Sequence, residues 1–108
     1  MSGGAAQGPE PDRAALEAAW LRLTRVTLPG LARERGWPVR ADHCFQRILL
    51  DNAVGGRWYD AVARRPAYRH IAAAALIEAV ALGEAAIAGT VDLAALNRQS
   101  LRWRGKRA

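Results

Sequence analysis

The sequence is poor in the residues that most often carry chemistry. It has a single cysteine, Cys44, so no disulfide can form within the chain, and that usage fits a reducing, cytoplasmic compartment. Its only serines are Ser2 and Ser100, and neither stands in a Gly-x-Ser-x-Gly elbow. Its only histidines are His43 and His70, with no His-Glu-x-x-His pair. His43 and Cys44 are adjacent, which on a helix turns their side chains about 100° apart, so no metal site is expected. Cys44 also falls on an apolar face, where a buried thiol is inert. Gly55-Gly56 lacks the rest of a phosphate loop, and no nucleotide fingerprint or cofactor motif is present. The longest apolar run, 71–82, is interrupted by Glu78 and too short to cross a bilayer, so no membrane span is expected. Residues 1–11 lack both the basic and the apolar segment of a secretory signal and read as a disordered leader.

Alanine and arginine are abundant instead. A chain of 108 residues supports one core, because a domain of this size buries only about two-thirds of its unfolded surface. Hydrophobic residues make up 51%, but much of that is alanine, so helices must approach closely to bury enough area. The net charge is +6, and Lys106 is the only lysine among its cations. A basic balance favours anionic partners, although an Ala-, Arg- and Gly-rich composition weakens that inference.

The periodicity is helical throughout, with no strand-like alternation and no internal repeat. Asp12 can cap a first helix whose stripe is Leu16, Ala19, Trp20, Leu23 and Val26, with a break or kink expected at Thr27, Pro29 and Gly30. A short helix over 31–35 then ends at Gly36, and Trp37-Pro38 makes the connection extended. Asp42 is expected to cap a helix that runs to about Val54 and stops at Gly55-Gly56, with Cys44, Phe45, Ile48 and Leu49 on its apolar face. Trp58 and Val62 share a face of a short helix ending near Arg64-Arg65. A long central helix is expected over 66–88, and Thr90 is expected to cap a last helix with Leu93, Leu96, Asn97, Ser100 and Leu101 facing inward. The expectation is an all-α, orthogonal or bundle-like domain of about five helices over 12–103, followed by a basic tail over 104–108.

Three functional readings follow. The leading one is a nucleic-acid-binding or accessory module, in which Arg98, Arg102, Arg104, Lys106 and Arg107 approach phosphates and Trp103 stacks. Residues 28–45 also have a helix-turn-helix spacing at Ala32 and Gly36, but Asp42 stands where the second helix would present an apolar residue. The second reading is a protein partner or homo-oligomer, using the small residues Ala75, Ala79, Gly83 and Ala86 for close helix contact. The third is a small anionic ligand, with or without acid-base chemistry, bound around 42–70. There His43, Arg47 and Asp51 form a polar row at i, i+4, i+8. In that reading Arg47 and Arg69 hold the anion, Asp51 and Asp60 orient the guanidinium groups, His43 or His70 moves a proton, and Trp58 or Tyr59 walls the site. Asn52 and Asn97 fall on apolar faces and need partners, since an unpaired buried amide costs about 1–3 kcal/mol. They are expected either to make structural bonds or to face a cavity between the third and last helices.

Overall fold

The computed structural model describes residues 12–106, and the leader and Arg107 lie outside them. Asp12 opens the first helix, its carboxylate accepting from the Ala14 N–H at 3.1 Å. The chain then stays helical as α1 (Arg13–Arg22), a π-helical turn (Leu23–Thr27) and α2 (Leu28–Arg35). The chain therefore does not break at 27–30, and the irregularity expected there takes the form of the π turn just before it. Pro29 falls in the first turn of α2, directly after the wider turn whose closing bond runs from the Leu28 N–H to the Leu23 carbonyl. A proline ring clashes with the carbonyl four residues back in a tight helix, and the π turn relieves that crowding. The extra residue in the turn also rotates the buried stripe onto Trp20, Thr24, Leu28 and Ala32, leaving Val26 54% exposed rather than inside. Gly36 closes α2 in the left-handed conformation at φ 65°.

The third helix, α3 (Asp42–Val54), ends at Gly55 as its sequence indicates, and buries Phe45, Ile48, Leu49 and Leu50. Two single-turn helices follow, α4 (Trp58–Ala61) and α5 (Ala67–His70), before α6 (Ala73–Ala88) and α7 (Leu93–Trp103). The long helix expected over 66–88 is thus divided. Ile71 and Ala72 are extended, and Arg13 Nη2 donates to the carbonyls of Tyr68 and Ile71, both at 2.8 Å. Those carbonyls, freed where α5 stops, are satisfied by a side chain from α1 instead of by a continuing helix. Asp92, not Thr90, caps α7, accepting from the Ala94 N–H at 3.0 Å.

Among the described residues the fold is all-α, with no strand and no helix long and apolar enough to cross a membrane. Its core centres on α3, packed against α6 on one side and α7 on another, with α1 and the π turn closing the rest. The small residues of α6 serve this packing. Ala79, Gly83 and Ala86 are buried within the chain, so they are not free for a second copy. A Cβ on Gly83 would lie 2.5 Å from Leu23 Cδ2 and 3.2 Å from Leu49 Cδ1.

Candidate functional site

Asp51 is 0% exposed, yet it carries a carboxylate, so its partners decide whether it can stay there. It has four donors. Arg104 forks onto it through Nε to Oδ2 at 2.7 Å and Nη2 to Oδ1 at 3.0 Å. Ser100 Oγ donates to Oδ2 at 2.7 Å, and the Trp58 backbone N–H donates to Oδ1 at 2.9 Å. The hydrogen bond to Asp51 holds the Arg104 guanidinium above its ordinary range, against the opposing effect of partial burial. Arg104 also stacks over Tyr59 at 5.0 Å.

Ser100 passes this order on to Arg47. Its hydroxyl, while donating to Asp51, accepts from Arg47 Nη1 at 2.7 Å, and Asn97 Oδ1 accepts from Arg47 Nη2 at 2.8 Å. Two of the five guanidinium N–H groups are thereby held by neutral acceptors, and the other three have no protein acceptor among the described residues. Asn52 settles differently, donating to the carbonyls of Ile48 at 2.8 Å and Leu96 at 3.0 Å. Both amides tie α3 to α7 directly, and no cavity separates them there.

Arg47 also borders a pocket of about 490 Å³. Its wall brings together Arg25 from the π turn, His43 and Gln46 from α3, and Arg65 and Tyr68 from the α4–α5 region, over a floor that includes Trp20 and Leu50. Trp58 lines one side, with the Arg65 guanidinium over its ring at 5.1 Å. No aspartate or glutamate lines it. Gln46 is fixed from below, because its Nε2 donates to Thr24 Oγ1 at 3.0 Å and Thr24 in turn donates to the Trp20 carbonyl at 2.9 Å. A pocket with several cations, an anchored amide and aromatic walls is suited to an organic anion.

Of the ligand-site residues expected from the sequence, His43, Arg47 and Trp58 meet at this pocket. Asp51 lies behind it and reaches Arg47 only through Ser100. Asp60 is exposed and pairs with Arg57 at 2.8 Å, while Arg69 and His70 are exposed outside the lining, with Arg69 over Tyr68. Arg25, Gln46, Arg65 and Tyr68 were not singled out. Arg25 belongs to a stretch whose polar face reads as solvated, and only the π turn brings it to the wall.

In the C-terminal cluster, Arg104 faces inward to Asp51 and is not a free phosphate contact. Arg98, Arg102 and Lys106 are exposed, Arg102 donating to the Gln99 side chain, and Trp103 is half-buried. Arg107 lies outside the described residues. No group of three potential metal-ligating His, Cys, Asp or Glu side chains occurs among the described residues. Set against known proteins, the chain matches no family model, no curated sequence and no solved structure.

Proposed function

We propose that this chain binds a small organic anion in the pocket between the π turn, α3 and the α4–α5 region. One observation carries the reading: Arg25, Arg47, Arg65 and His43 share a wall that holds no carboxylate. Guanidinium groups facing one cavity repel one another and are stabilised when an anion enters, and Arg is suited to forked bonds with carboxylate or phosphate. The volume falls within the range of about 300–1,000 Å³ typical of small-molecule sites. The lone cysteine supports a reducing, cytoplasmic setting.

Isothermal titration with simple carboxylates and phosphates tests the site at low ionic strength. Arg65→Gln and Arg25→Gln, both at exposed positions, should weaken binding by about tenfold each while leaving the circular dichroism spectrum unchanged. If no anion binds, or if both variants bind as the unaltered chain does, the reading fails.

The exposure of Arg98, Arg102 and Lys106 favours a second reading, nucleic-acid contact along α7. Labelled single-stranded RNA and DNA should then bind with an affinity that falls steeply as salt rises, and a complete lack of binding at low salt would exclude it.

A further inference from the structure

Resting on the anion-pocket reading, we propose that the ligand is a phosphate monoester carrying a planar ring. Its phosphate would be held by Arg47, Arg25 and Arg65, with its ring against Trp58 and Tyr68. The charge count argues for phosphate. Three guanidinium groups border the cavity with no lining carboxylate. A monocarboxylate neutralises one of them, whereas a phosphate monoester carries about −1.5 to −2 at neutral pH and offers three acceptor oxygens. Ser100 and Asn97 hold Arg47 in one arrangement at the cavity's border, so its remaining N–H groups meet a ligand with little further loss of side-chain freedom.

The size argues for a body beyond the phosphate. Inorganic phosphate occupies only a small part of a cavity of about 490 Å³, and apart from His43 and Gln46 the remaining wall is aromatic and aliphatic. Trp58 and Tyr68 border the cavity with the guanidinium groups of Arg65 and Arg69 lying over their rings at 5.1 and 5.8 Å, and a flat ring can pack against such guanidinium–aromatic pairs. Gln46, its amide nitrogen held by Thr24, keeps its side-chain carbonyl available to accept from an N–H or O–H on the edge of that ring.

The experiment is calorimetric titration of the full chain with phenyl phosphate, inorganic phosphate, benzoate and phthalate. Phenyl phosphate should bind at least about tenfold tighter than each of the other three: inorganic phosphate lacks the ring, benzoate lacks the second charge, and phthalate spreads its two charges over separate carboxylates instead of three acceptor oxygens on one centre. Arg25→Gln and Arg65→Gln should lower phenyl phosphate affinity by about tenfold or more and benzoate affinity by less. Trp58→Leu should narrow the gap between phenyl phosphate and inorganic phosphate, with unchanged circular dichroism confirming that the variant is folded. Benzoate or phthalate binding as tightly as phenyl phosphate overturns the phosphate assignment and leaves the anion pocket standing. Inorganic phosphate binding as tightly overturns the ring. Binding by none of the four overturns both the inference and the reading beneath it.

Discussion

Asp51 keeps its charge inside the protein because four donors replace the water it gives up. Asp51→Asn presents an amide to the Arg104 fork, setting donor against donor. It should cost about 2–4 kcal/mol in urea unfolding, somewhat below a wholly buried pair because Arg104 remains 18% exposed. Ser100→Ala should cost less stability, about 1–2 kcal/mol, but it also removes an acceptor that orients Arg47. Its anion affinity should therefore fall even where the fold is intact, which titration reads directly. The pH sense of the Arg104 contact follows from its raised pKa. A cation whose folded pKa lies above its unfolded one contributes fully below the unfolded value and loses that contribution only as pH rises through the folded value. The stability gap between the unaltered chain and Arg104→Gln should thus be the same at pH 7 and pH 9, and a gap that shrinks over that interval contradicts this account. The 43–47–51 row was legible as a helical polar face. The burial of its last member was not, because the residue that makes it tenable stands 53 positions away.

Helices were legible where local signals agree. Asp42 to Val54 carries an apolar face, an acidic start and a glycine stop, and α3 forms over that span. They were not legible where a distant side chain decides the outcome. No local signal at Tyr68 or Ile71 reveals that Arg13 will take their carbonyls and let the chain turn extended between α5 and α6. The π turn was hidden in the same way, since Pro29 signals a break as readily as a widened turn. This turn has a packing consequence at Gly83, where the Leu23 side chain occupies the space a Cβ would need. Gly83→Val should destabilise by about 1–3 kcal/mol through overpacking, although valine has a better helix propensity than glycine. Shortening the opposing side chain in Leu23→Ala should relieve part of that cost, so the double variant should be less unstable than the sum of the singles.

At the scale of the whole molecule, some arginines are paired and others are left facing a cavity. Glu17, Asp51 and Asp60 are engaged by Arg13, Arg104 and Arg57, each at 2.7–2.8 Å, while the pocket arginines face no carboxylate in the lining. The net charge of +6 is therefore not spread evenly in its effect, and part of it is concentrated where an anion would enter. The same division fixes where the folded unit ends. Read from sequence, 104–108 is a basic tail, yet Arg104 is the counter-ion of the most deeply buried charge in the core. A chain ending at Lys106 keeps that ion pair and the backbone bond from the Lys106 N–H to the Leu101 carbonyl at 2.8 Å, and is the reference for the shorter one. A chain ending at Trp103 leaves Asp51 with Ser100 and the Trp58 N–H but no cation, and should lose about 2–4 kcal/mol. Arg104→Ala in the full chain should reproduce most of that loss, which separates the guanidinium from the other terminal contacts. Adding Asp51→Ala to the shortened chain should then cost little more, because the charge it removes is already unpaired. If ending the chain at Trp103 leaves the midpoint unchanged, the Asp51–Arg104 pair contributes no net stability and the tail can be treated as an appendage.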